Sequence, residues 1–259
     1  MPQAPARRSS STFRSQTRAP DARFRARRGS GLTRSAVVTG ASRGVGAAVA
    51  QRLARDGHRV VAMARNAAAL EALAGGVPGL LPLHGDVSRE DDVARLAHTA
   101  AELGRLEVWV NNAAVVDKVP FAELTPERWR GTLSVDLDGV FLGCRSAFMS
   151  MRDGGGVIVN VASLSGVPNV EKFPGLAAYN VSKAGVIALT EAVALEGRPF
   201  GVRCVCLSPG AVDTEMLREA APHLRAGMTP DDVAGIIAWL VTPAAAHLSG
   251  VNIPIFSNR

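Results

Sequence analysis

The chain has 259 residues, 47% apolar and 20% charged, which suits one hydrophobic core and excludes a disordered or fibrous protein. No apolar run approaches the ~18 residues of a membrane-spanning helix, so no membrane partner is expected. The three cysteines, Cys144, Cys204 and Cys206, fit no metal-ligand spacing and are too few for a disulfide framework, which points to a reduced, cytoplasmic protein.

The net charge of +6 is unevenly placed, because residues 1–34 carry nine arginines against one acid, Asp21. The rest of the chain is therefore slightly acidic. Rich in Arg, Ser and Pro and without apolar periodicity, residues 1–34 read as a disordered basic extension. Scarcity of acids also fits an organelle transit peptide or an arm that contacts nucleic-acid phosphates. A solvated tail, translated from an upstream start in Arg- and Ala-rich coding sequence, is the simplest account, and no nucleic-acid partner is expected.

From Ser35 onward, apolar runs alternate with Ala/Leu-rich stretches. Strands are predicted at SAVVTG (35–40), HRVVAMA (58–64), GLLPLHG (79–85), LEVWVNN (106–112), GGVIVNVAS (155–163) and GVRCVCLSP (201–209), with NIPIF (252–256) as an edge strand. Such runs suit parallel strands covered on both faces. Helices are predicted between them, for instance at 44–57 and 91–104. In the first, Val45, Val49, Ala50 and Leu53 share a face and Gly57 is a stop. The pattern predicts an α/β fold: a doubly wound parallel sheet forming a single Rossmann-type domain over residues 35–259.

The first strand runs into Thr39-Gly40-Ala41-Ser42-Arg43-Gly44-Val45-Gly46, which opens a helix. Glycines at 40, 44 and 46 permit a tight turn and close approach of a pyrophosphate, while the helix N-terminus supplies N–H donors. NAD-binding Rossmann folds place an acid at the end of the second strand to hold the ribose 2′-OH. Here that stretch reads Ala62-Met63-Ala64-Arg65-Asn66, with no acid. Arg65, with Arg43 in the turn, suits a 2′-phosphate instead, so NADP(H) is expected over NAD(H).

Tyr179 and Lys183 are four residues apart and share one face of a predicted helix. The ammonium is expected to lower the phenol's pKa towards acid–base use. Tyr179 is the only tyrosine in the chain, and Lys183 is one of three lysines against 26 arginines. Ser163 ends the preceding strand, where its hydroxyl is placed to stabilise a developing alkoxide; Ser165 is the alternative.

These features together resemble a classical short-chain dehydrogenase/reductase. Residues 39–46 match that family's TGxxxGxG turn, Asn111-Asn112-Ala113-Ala114 its NNAG, Tyr179 to Lys183 its YxxxK, and Pro209-Gly210 its PG motif. The resemblance covers essentially all of residues 35–259. It implies cofactor contacts from Gly40, Ser42, Arg43, Gly44, Val45 and Gly46, with Asp86 and Val87 by the adenine and Asn112 near its ribose. Val212, Asp213 and Thr214 would hold the carboxamide, and Lys183 the nicotinamide ribose. Tyr179 would protonate the carbonyl oxygen of a small-molecule carbonyl substrate, and the protein would be a homodimer or homotetramer.

Departures from the family pattern are also legible. Ala114 replaces a glycine and is expected to tighten the cofactor space. Asp136 stands where the catalytic asparagine is usual, joining Ser163, Tyr179 and Lys183 as a catalytic candidate. Its backbone carbonyl would keep the asparagine's role, and its charge would alter nearby pKa values. Ser163 and Tyr179 are 16 positions apart, longer than usual, with the extra length in residues 168–175, a loop expected to border the substrate pocket. The segment from Glu215 to Met228 is short for a substrate lid, implying a modest or open pocket. The C-terminal PIFSNR lacks the usual Asp-Gly-Gly. Two functions remain in view: an NADP(H)-dependent carbonyl reductase or alcohol dehydrogenase, and a non-catalytic NADP(H)-binding redox sensor or scaffold.

Overall fold

The computed structural model describes residues 33–256, so all but the last two positions of the basic extension, and the readings attached to them, lie outside the described residues. Each apolar run forms a strand: β1 (Arg34–Thr39), β2 (Arg59–Ala64), β3 (Leu80–His84), β4 (Arg105–Asn111), β5 (Gly156–Val161), β6 (Val202–Pro209) and β7 (Val251–Ile255). They make one seven-stranded sheet in the order β3-β2-β1-β4-β5-β6-β7, with every pairing parallel. β1 and β2 bury every residue but their first, as both-face coverage requires, whereas the edge strand β7 buries none fully.

Eight helices accompany the strands: α1 (Gly44–Arg55), α2 (Ala67–Gly75), α3 (Glu90–Leu103), α4 (Pro126–Leu133), α5 (Gly139–Met151), α6 (Ala177–Gly197), α7 (Glu215–Ala220) and α8 (Pro230–Leu240). The period of two along each strand divides the core. Val38, Ala62, Val110 and Val159 pack under α1 and α8 with Val49, Leu53 and Ile237. Val37, Met63, Trp109 and Ile158 face α3, α5 and α6 with Leu96, Ala147 and Val186. The expected face of α1 is realised, although Val45 is only partly buried at its end. Thr229 opens α8 with a capping box to Asp232 and Pro230 in the first turn.

Two features are specific to this chain's polar residues. A π-helical turn, Ser134–Asp138, joins α4 to α5 and puts Asp136 in the interior at 0% exposure. In the second core layer, buried amides form a chain across β4, β5 and α6. Trp109 Nε1 donates to Asn111 Oδ1 (2.7 Å), Asn111 Nδ2 to Asn160 Oδ1 (2.8 Å), and Asn160 Nδ2 to Thr190 Oγ1 (2.9 Å). Each member satisfies the next, so burial of these groups carries little desolvation cost. Asn160→Ala strips partners from Asn111 and Thr190 at once. It is expected to lower unfolding free energy by ~2 kcal/mol or more in urea denaturation, and a loss under ~0.5 kcal/mol would show the chain of amides to be dispensable.

Candidate active site

The carboxyl ends of the parallel strands open into one cleft of ≈ 1590 Å³. On its β1 side the glycine turn is shaped by contact. Gly40 has φ +66°, and a Cβ there would lie 2.6 Å from Ala113 Cα; a Cβ on Gly46 would lie 2.3 Å from Gly40 O. Only glycine fits either place. Thr39 Oγ1 accepts from the Asn112 and Ala113 N–H groups (3.0 and 3.1 Å), and Asn112 Nδ2 donates to the Thr39 and Gly40 carbonyls (3.0 and 3.2 Å). The turn is thereby tied to the end of β4. Helix α1 has Arg43 at its N-cap, which makes no side-chain cap, and no acid in its first turn. Its N–H donors and dipole are left for an anion, which fits the pyrophosphate of a dinucleotide.

Of the residues expected to contact cofactor, Gly40, Ser42, Arg43, Gly44, Val45, Arg65, Asp86, Val87, Asn112, Tyr179, Lys183, Val212 and Thr214 all line the cleft, as does Ala114. Gly46 does not: it is buried beneath Gly40, so its part is to let the turn close. Arg43 is ion-paired with Glu215 at the start of α7, whereas Arg65 is exposed and forms no ion pair among the described residues. Asn66 is committed to capping α2 through Ala69 N–H (3.1 Å). Asp86 accepts from the N–H and hydroxyl of Ser88 (3.0 and 2.8 Å).

At the β5 end, Tyr179, Lys183 and Asp136 come together. Lys183 is 2% exposed and donates Nζ to the Val161 carbonyl (3.3 Å). The same Nζ lies 5.5 Å from the centre of the Tyr179 ring and 3.8 Å from Asp136 Oδ2. Asp136 Oδ1 accepts from Val115 N–H (2.8 Å), and Oδ2 has no hydrogen-bond partner. Leu164 and Ser165 form the cleft wall, while the half-buried Ser163 caps the following turn by accepting from Ser165 N–H (3.1 Å).

The phenol differs from the expectation. Burial pushes the Tyr179 pKa up; Lys183 and Ser163 oppose this, and Asp136 adds to it, leaving it raised and not lowered. Spacing to Lys183 and the charge of Asp136 were visible in the sequence, but the desolvation of the ring was not. Burial likewise raises Asp136, against the pull of Lys183 and the Val115 N–H.

The longer loop lines the cleft through Asn169, Val170 and Phe173, and the segment after Thr214 through Ala220 and Ala221; the contacts that hold these two segments in place were not foreseen from the sequence. Lys118 Nζ donates to Ala220 O at the end of α7 (3.1 Å), and Val119 N–H to Gly175 O (2.8 Å). Phe173 meets His223 edge to face at 6.3 Å between centroids. Lys172 Nζ ties the long loop to its own start through the Leu164 and Val167 carbonyls (3.2 and 2.5 Å). The signal available was the rarity of lysine, since both are among the chain's three.

This sheet order, an open helix N-terminus after a glycine turn, and a Tyr/Lys pair at the strand ends define a nicotinamide-binding oxidoreductase. The short-chain dehydrogenase family model matches residues 34–225, and the chain belongs to that family. The 3beta-hydroxysteroid dehydrogenase 1 of Eggerthella lenta is 35% identical over 243 residues, covering 85% of this chain and 91% of that protein. A 3-ketoacyl-(acyl-carrier-protein) reductase from Brucella melitensis complexed with NADH superposes with TM-score 0.79 and 31% identity over 88% of this chain and 98% of its own. An actinorhodin polyketide ketoreductase with NADPH gives TM-score 0.79 and 28% identity over 87% and 96%.

The glycine turn offers a direct check. Gly40→Val combines strain at positive φ with the collision at Ala113, costing roughly 1–3 kcal/mol of backbone strain alone. Fluorescence titration is expected to show nicotinamide dinucleotide binding weakened about tenfold or more, each ~1.4 kcal/mol being one decade. Unchanged affinity would mean that the cofactor does not lie over this turn.

Proposed function

We propose that the protein is an NADP(H)-dependent oxidoreductase that reduces a small-molecule carbonyl compound, or oxidises the matching alcohol, with Tyr179 as general acid/base. The observation that carries this is the convergence of Tyr179 and Lys183 at one end of a cleft, with the Ser163 hydroxyl beside the phenol, while the other end is the uncapped start of α1. A bound nicotinamide supplies or accepts the hydride. Tyr179 gives its phenolic proton to the carbonyl oxygen as charge develops there, and takes it back in alcohol oxidation. Ser163 donates a hydrogen bond to the same oxygen. Lys183, anchored on the Val161 carbonyl, stabilises the phenolate and holds the nicotinamide ribose.

Preference for NADP(H) rests on Arg65, whose guanidinium has no ion pair among the described residues, at a position where no acid stands to hold a 2′-OH. Arg43, already paired with Glu215, is the secondary contact. Asp86 and Val87 border the adenine side, Asn112 the adjoining ribose, and Val212 and Thr214 the carboxamide. A homodimer or homotetramer is supported by exposed apolar residues on α5 and α6, among them Phe141, Met149 and Leu195. No helix among the described residues is long and apolar enough to cross a membrane.

The test is NADPH consumption across ketones, aldehydes, quinones and β-keto esters, with NADH in parallel. Tyr179→Phe is expected to cut kcat by ~10²–10⁴-fold while NADPH still binds. Undiminished turnover would remove Tyr179 from the chemistry; binding without turnover of any compound by the unaltered protein would favour a sensor. Arg65→Ala is expected to reduce the NADPH-to-NADH ratio of kcat/KM by roughly ten- to a hundredfold, the worth of one charge-assisted hydrogen bond. A ratio that stays put would refute Arg65 as the phosphate contact.

A further inference from the structure

Asp136 occupies a place where an uncharged amide would satisfy the backbone equally well. Its Oδ1 takes the Val115 N–H, a bond that asparagine can make, but its Oδ2 has no hydrogen bond and is directed at Lys183 Nζ across 3.8 Å. Both side chains are shut off from water, at 0% and 2% exposure. An interior carboxylate facing an ammonium at this distance acts on the whole local field, because little solvent screens it. The other charged groups on these helices are turned outwards, and most are already matched. On α4, Arg128 pairs with Asp117 and Arg130 with Glu127; on α5, Arg145 pairs with Glu90; Asp138 is exposed. From α6, Tyr179 faces the pair, and from β6 the buried Cys206 thiol lies within reach of Lys183. Asp136 therefore has one ionic partner, and that partner is the cation beside the phenol.

We propose that Asp136 is a positioning residue that keeps Tyr179 a proton donor: its carboxylate offsets the Lys183 ammonium, so that the phenol holds its proton and the site is set for carbonyl reduction, with alcohol oxidation displaced to higher pH. The idea rests on Tyr179 being the acid/base of the proposed reaction. An ammonium alone stabilises phenolate; an ammonium beside a carboxylate presents the ring with a near-neutral pair. Reduction needs the phenol and oxidation the phenolate, so the same carboxylate aids one direction and hinders the other. Its Oδ1 bond to Val115 also fixes the pair to the segment after β4, which lines the cleft.

Because the chain has one tyrosine, its ionisation is observable without any turnover. The full-length protein, labelled with carbon-13 at tyrosine Cζ, gives a single resonance to titrate with pH. In Asp136→Asn, which retains the acceptor for Val115, the Tyr179 pKa is expected to fall by about one unit or more. Asp136→Ser, also uncharged, is expected to move it the same way and serves if the asparagine variant does not fold. NADPH binding and melting temperature confirm that the protein titrated is native. With an active substrate, the acid limb of kcat/KM for alcohol oxidation moves down by the same amount. An unchanged or raised tyrosine pKa in a folded variant overturns the inference, whatever the activity. A lowered pKa in a protein that turns over nothing sustains it while defeating the proposed reaction.

Discussion

The tie between the β1 turn and the end of β4 is the constraint on which the rest depends. In the order β3-β2-β1-β4-β5-β6-β7 the chain reverses direction of travel beside β1, so the crossovers leave a crevice between β1 and β4 at their carboxyl ends. Thr39 and Asn112 span that crevice with four hydrogen bonds between 3.0 and 3.2 Å. They hold the glycine turn low, against Ala113, and so aim the start of α1 across the strand ends. The uncapped N-terminus and the Tyr179 end of the cleft then face a shared volume. A side chain at Gly40 would separate the two strands that define it.

The fold was legible because parallel strands buried on both faces leave near-continuous apolar runs, and all seven emerged within two residues of their limits, the edge strand included. Motif residues around the cleft were legible for a related reason: each is demanded by a contact that few residue types can make. The π-turn at Asp136 was not, since α4 and α5 run on as one helical pattern and the extra residue in the turn leaves no mark in apolar spacing. The Asn111–Asn160–Thr190 chain was equally hidden. Two amides within apolar strands look like interruptions until register places them opposite each other, as β4 and β5 do at Asn111 and Asn160.

The lysines show how composition and geometry meet. Arginine is used nearly everywhere that this chain needs a cation, with 26 copies, and Arg43 and Arg65 line the cleft beside Lys183; the other two lysines, Lys118 and Lys172, hold the loops at its edge. Lys118 reaches one backbone carbonyl, at the end of α7, and Lys172 two, at the start of its own loop; Lys183 sits between the Val161 carbonyl and Asp136 with almost no solvent contact. A planar guanidinium would bring five donors into the buried place of Lys183, where one carbonyl and one carboxylate could not satisfy them all, whereas an ammonium is a compact charge on a slender stem. At residue 183 the difference is decisive. Only a small cation fits between a strand carbonyl and a buried carboxylate while remaining next to the ring of Tyr179, and that arrangement is what couples the interior charge to the proton at the cleft.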